Sequence, residues 1–292
     1  MTTGLTHAVA PRSPVAERAT FRALARADAR RYARHPLFLV PCAILVALIF
    51  ANAIDRKGGG TNPLVDTMTI ALFLGVFGLV VAHRLTTSLL RTRELVGTVP
   101  VERQERTASL CVACLVSAAA GLVAASYLLV ANALWPPNGQ PSSLPVTWFS
   151  DYPASDVLPA LLAMGPVAAL GGPLLGVAVA RWAPFRGSAL LGVVVLVVAT
   201  AMMESDEPGG RERLVSAWPV LIDEHVDGNG NVVSTTFTSG IEPIWALGWV
   251  LCLCGLAVVA ALLRDPGHRR RLLIAGGALT GAAAACFVLA LS

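Results

Sequence analysis

Seven long apolar runs set the terms on which this sequence can fold. They cover 37–54, 65–83, 107–134, 157–180, 187–203, 243–263 and 272–291. A helix needs roughly 17–25 predominantly apolar residues to cross a bilayer. Lipid offers no partner to backbone groups outside a helix or a closed barrel. None of the runs is amphipathic in the way a soluble surface helix would be. The expected fold is an all-α polytopic membrane protein with about seven transmembrane helices. Composition agrees, since 14% of the residues are charged and mean hydropathy is +0.67, against roughly 25% charged residues in a soluble domain.

The loop charges test this division. With the N-terminus in the cytoplasm and the spans alternating, the inner segments hold 18 of the 22 basic residues: seven in 1–36, five in 84–106, two in 181–186 and four in 264–271. Arg56, Lys57, Arg211 and Arg213 fall outside. This is the positive-inside pattern of a multi-pass plasma-membrane protein. Acidic residues divide six inside and twelve outside, giving +12 and −8 and the total of +4. Lys57 is the single lysine among the 22 basic residues. The arginine and alanine richness reads as coding bias, and no nucleic-acid partner is expected. Every charged residue lies in a loop or at a helix edge, whereas a proton-coupled pathway usually places an ionisable group at mid-membrane.

Residues 1–36 form a cytoplasmic N-terminal segment without the apolar stretch of a cleavable signal. Within it Arg18, Arg22, Arg26, Arg30 and Arg34 recur every fourth residue, which on a helix makes a slanted basic stripe. Phe21, Leu24, Ala25, Ala29 and Tyr32 fill another face. The pattern predicts an amphipathic helix on the inner leaflet, held by anionic headgroups; a merely topogenic arginine cluster is the alternative. Pro36 marks the turn into the transmembrane domain, 37–292.

The outer loop at 135–156 is rich in proline and aromatics and reads as a semi-rigid cap. The outer loop at 204–242 is the segment large enough to fold outside the membrane. Two β-prone runs flank Asp227-Gly-Asn-Gly-Asn231 there, which predicts a hairpin. His225 beside Asp223 and Glu224 makes a poor metal cage, because neighbours on a strand point to opposite faces. No metal or cofactor is expected.

In the fourth run Pro159, Pro166 and Pro173 repeat every seven residues, accompanied by Gly165, Gly171, Gly172 and Gly176. Proline removes a backbone hydrogen bond and kinks a helix. Two readings stand: a bent helix lining a pathway or serving as a hinge, and a small-residue face for close helix contact. Cys111 and Cys114 form a C-x-x-C, but all six cysteines lie in apolar runs and read as packing thiols.

There is no G-x-x-x-x-G-K-[ST], so no P-loop binds ATP in this chain, and no H-E-x-x-H or G-x-S-x-G. The densest charge between two spans is Arg91-Thr-Arg-Glu-Leu-Val-Gly-Thr-Val-Pro-Val-Glu-Arg-Gln-Glu-Arg106. With Arg84 before it, this segment resembles the cytoplasmic loop of permeases of ATP-binding-cassette exporters of the ABC-2 class, of actinobacterial type. Glu94, Leu95, Pro100 and Arg106 sit at comparable places in the loop pattern R-x-x-E-L/T-x-x-x-x-P-x-x-x-x-R. Leu262-Leu-Arg-Asp265 and Arg269-Arg-Arg271 also look like those proteins. The resemblance implies a permease subunit, not itself an enzyme, in a bacterial plasma membrane. It implies a second permease copy or paralogue and a separate ATP-binding subunit as partners. Loop 84–106 would be the coupling element, with Arg91, Arg93, Glu94, Pro100, Glu102 and Arg106 as the residues that dock. The family usually has six spans and both termini inside; run 272–291 departs from that, as a seventh span that puts Ser292 outside, unless it lies along the membrane or is a C-terminal addition. The alternatives are a non-transport membrane anchor or sensor using loop 204–242, and an intramembrane enzyme.

Overall fold

The computed structural model describes residues 14–55, 63–95, 103–134, 154–185, 187–203, 214, 219, 221–226, 232–237 and 241–291. All seven apolar runs are helical. The elements are α1 (Pro14–Ala33), α2 (Pro36–Asp55), α3 (Pro63–Leu95), α4 (Arg103–Ala113), α5 (Leu115–Leu134), α6 (Ala154–Leu162), a π turn (Ala163–Val167), α7 (Ala168–Trp182), α8 (Ser188–Met203), the strands β1 (Ile222–Val226) and β2 (Val232–Phe237), α9 (Pro243–Leu263) and α10 (Arg269–Ala290).

Five stretches are long and apolar enough to span a bilayer: Thr67–Leu90, Arg103–Val130, Ser155–Trp182, Pro243–Leu263 and Arg269–Ala290. A sixth is counted when α1 and α2, whose axes differ by 59°, are taken together; α2 carries the apolar run, and the arginine-rich α1 stands at the helix ends. The bend falls at Arg34 and His35. There the His35 Nδ1 accepts the Leu37 N–H at 3.2 Å, and Pro36 opens α2 where its missing N–H costs nothing. The fifth run forms α8, at 16 residues shorter than the others. The protein is thus a multi-span helical membrane protein.

Helix directions alternate as the loop charges require. Gly172 of α7 lies against Gly75 of α3, and Gly176 against Leu79, so α3 and α7 run parallel. A side chain at either glycine would overlap a backbone carbonyl of α3. Here glycine allows two backbones to touch, and dispersion between them supplies what a hydrophobic effect cannot supply in lipid. Gly78 faces Pro173 and the Tyr32 hydroxyl, where a Cβ would sit 2.9 and 2.8 Å away.

The three prolines of the fourth run are all buried. Pro166 falls in the π turn, whose wider ring of hydrogen bonds makes room for a proline that would clash with the carbonyl four residues back. Gly121 of α5 takes the close approach of Pro166. Cys254 of α9 donates its thiol to the Val167 carbonyl at 3.7 Å, at the end of that turn. Ser155–Trp182 nevertheless remains one span of 28 residues.

The helix ends form two faces. The arginine-rich end collects α1, the C-terminal ends of α3, α7 and α9, and the N-terminal ends of α4 and α10. The opposite end has a smaller core that includes Leu161, Met164, Leu214, Leu221 and Ile241. Trp249 Nε1 donates to the Leu214 carbonyl at 3.1 Å and ties the 204–242 segment to α9. The expected hairpin is present: β1 and β2 pair antiparallel, with Ile222 opposite Phe237 and an irregularity between His225 and Val226. Helix α10 runs back along α9. Gly255 faces Leu279, Gly248 faces Cys286, and the Glu242 N–H donates to the Ala290 carbonyl at 3.0 Å. The C-terminal run therefore spans the full length of α9 and ends at the face opposite the arginines. The proline-rich loop at 135–156 lies outside the described residues except for its last three positions, the start of α6.

Candidate functional site

The charged segment 84–106 is helix at both ends. Helix α3 is 33 residues long, about 50 Å at 1.5 Å per residue, against about 30 Å of bilayer hydrocarbon. Instead of ending near His83, it continues through Arg91, Arg93 and Glu94 to Leu95. Helix α4 begins at Arg103 and includes Arg106. Pro100 and Glu102 lie outside the described residues. The described ends of the segment are thus helical, 84–95 in α3 and 103–106 in α4.

Helix α1 is fastened to this assembly. Arg18, Arg22, Arg26, Arg30 and Arg34 are exposed, as the stripe predicts. On the other face Ala25 and Tyr32 are buried, and α1 packs on α4. Tyr32 reaches Ser117 of α5 with its hydroxyl at 2.9 Å, and its ring lies 5.0 Å from that of Phe38. Asp28 sits on the same face, 4% exposed, and accepts a 2.6 Å hydrogen bond from the Ser109 hydroxyl of α4. Burial pushes the Asp28 carboxyl up. The Ser109 hydrogen bond and the guanidinium groups of Arg31 and Arg106 pull against it. Asp28 escaped the sequence reading because it looks like one more charge in an arginine-rich segment. Its spacing of three and four from Ala25 and Tyr32 was the available signal.

A second polar junction joins α7 to α9. Arg181 and Asp265 form an ion pair at 2.6 Å, each side chain 7% exposed. Arg264 donates to the Arg181 carbonyl, and Trp182 Nε1 to the Ala260 carbonyl at 2.8 Å. Removing one partner of such a buried pair leaves a charge without compensation, which costs about 3–5 kcal/mol. In the sequence both residues read as ordinary loop-edge charges. Only the packing reveals that they are buried together.

His83 of α3 meets Ser188 of α8, Nε2 to Oγ at 2.7 Å. The serine hydroxyl also donates to the Phe185 carbonyl at 3.0 Å. The contact ties α3 to the start of α8. Among the described residues no group of three His, Cys, Asp or Glu side chains converges as a metal site. Of the strand residues, Asp223, Glu224 and His225 occupy consecutive β1 positions opposite Thr236, Thr235 and Ser234. All six cysteines are free.

One open cleft of about 350 Å³ lies between α4, α5, α7 and α9. Its walls are apolar and include Ala108, Cys111, Val112, Leu174, Cys254 and Val258.

The chain matches no protein-family model, no curated protein and no solved structure. Its functional reading therefore rests on its own residues. The structure brings Arg106 together with Asp28, places Arg91, Arg93 and Glu94 on the projecting end of α3, and sets Pro159, Pro166 and Pro173 on a buried helix face.

Proposed function

We propose that this protein is the membrane-spanning permease subunit of an ATP-driven exporter of the ABC-2 type, coupled through segment 84–106 to a separate ATP-binding subunit. The observation that carries the reading is the unbroken course of α3 from the bilayer to Leu95. A rigid helix with a charged end is a lever. A force applied at Arg91–Glu94 reaches the part of α3 that touches α7 backbone to backbone at Gly75 and Leu79. The π turn at Ala163–Val167 then gives α6 and α7 a point at which the two halves of the fourth span can flex against each other. A second copy or paralogue would complete the pathway. The arginine-rich face is cytoplasmic in this reading, by the positive-inside rule.

Charge reversal tests the coupling. Glu94→Arg should separate ATP hydrolysis from transport in reconstituted vesicles, with membrane insertion unchanged. Arg106→Glu should do the same and also loosen α1, because Arg106 neighbours Asp28. Normal coupled transport in both variants would refute the assignment.

The β1–β2 hairpin supports a second reading, a membrane anchor or sensor that presents the 204–242 segment. It requires the protein to be stable and active with no ATP-binding partner.

A further inference from the structure

The apolar cleft sits in the arginine-rich half of the membrane domain. On α4 and its continuation, Ala108, Cys111, Val112 and Leu115 line it, at the spacing of a single helix face. Gln104 lies on that same face one turn nearer the helix N-terminus. Its Oε1 is 3.0 Å from the His268 Nδ1. That contact brings the first turn of α4 beside the first turn of α10, which opens with Arg269, Arg270 and Arg271. Arg103, His268 and these three arginines are all exposed, and Glu105 is the one acid in either first turn. Helix N-termini carry partial positive charge and free backbone N–H groups. The first turns of these two helices, carrying four exposed arginines, therefore lie side by side, and the α4 turn leads into the apolar cleft. Val112 and Leu115 are 40% and 52% exposed, so the cleft opens toward the bilayer.

We infer that this cleft is a binding site for an anionic phospholipid of the arginine-rich leaflet, one acyl chain lying between α4 and α9 and the phosphate held by Arg103, His268 and Arg269. The fit rests on complementarity at both ends. An apolar cleft of about 350 Å³ falls in the usual size range of small-molecule sites, about 300–1,000 Å³. A cluster of arginines at the headgroup level favours anionic over zwitterionic lipids. The tail would also shield Cys111 and Cys254, whose thiols line the wall. None of this depends on the transport reading, since it requires only that the protein sit in a bilayer.

The test is native mass spectrometry of the full-length protein in detergent, titrated with palmitoyl-oleoyl phosphatidylglycerol or with phosphatidylcholine of the same chains. Wild type should hold one phosphatidylglycerol through delipidation and prefer it to phosphatidylcholine. Arg103→Gln and Arg269→Gln should each weaken phosphatidylglycerol by about fivefold, moving it toward the phosphatidylcholine value. Val112→Trp, which fills the cleft from an exposed position, should lose the retained lipid, and Leu115→Trp should do the same if Val112→Trp does not fold. Leu190→Trp, 67% exposed on α8, should leave retention as in wild type. The proposal is overturned if wild type binds both lipids equally, if the folded tryptophan variant retains phosphatidylglycerol as wild type does, or if the cleft is closed in a lipid-free dimer.

Discussion

At the residue scale, the polar groups that matter are those the fold hides at the arginine-rich end. Asp28 is the clearest case. Its carboxyl is pushed up by burial, so the folded state favours the protonated form. The contribution of Asp28 to holding α1 is therefore fully present below the ordinary carboxylate pKa and declines as pH rises through the raised value. Hydrogen exchange of residues 14–33 should accordingly slow as pH falls from neutral toward the carboxylate range, after correction for intrinsic rates. Asp28→Asn should remove that dependence while Ser109 keeps a partner. Equal pH dependence in wild type and variant would show that Asp28 does not govern the docking. That Asp28 belongs to the arginine-rich N-terminal segment, and that Arg181 and Asp265 lie at helix ends, was legible in the sequence. Their burial was not, because it depends on which helices meet, and no local pattern records that.

At the element scale, the fourth run carried two readings, and two of its four glycines face a neighbouring backbone. Gly172 and Gly176 lie directly on α3, and the prolines join the same buried side. Gly176→Val should lower thermal stability in detergent by at least about 1–3 kcal/mol, because the new methyl groups must displace α3. Gly277→Val is the matched control: nothing lies within 4 Å of a Cβ there, on the outer face of α10, and stability should stay near wild type. If both variants melt alike, the α3–α7 contact is not what holds the bundle. Helix existence was legible from hydropathy in the seven apolar runs and from the arginine period in α1, and the hairpin from its Asp-Gly and Asn-Gly pairs. The ends were less so. Helix α3 outruns its apolar stretch by a dozen residues, since Arg, Leu and Glu favour a helix in water and the Thr86 and Thr87 hydroxyls bond back to the Ala82 and His83 carbonyls. The π turn likewise left no sign beyond Pro166 itself.

At the scale of the whole molecule, α10 bears on a geometric point that the sequence left open. A C-terminal run can cross the bilayer or lie along it. Its antiparallel course beside α9, closed by the Glu242 to Ala290 hydrogen bond, fits a crossing. With the N-terminus in the cytoplasm, Ser292→Cys should then react with an impermeant maleimide in intact cells; reaction only after permeabilisation would place the C-terminus inside. The alternation of helix directions and the gathering of arginines at one end both follow from the charge pattern of the loops, and they were the most legible global features. What the protein works with was the least legible, because a coupling surface is a few charges whose meaning lies in another chain. The permease reading makes one demand that the others do not. Affinity purification of the protein from its native membrane should bring down an ATP-binding subunit in near-stoichiometric amount, and Glu94→Arg should reduce that recovery. Purification of a stable, functional protein with no ATP-binding subunit, under conditions that preserve membrane complexes, would contradict the account.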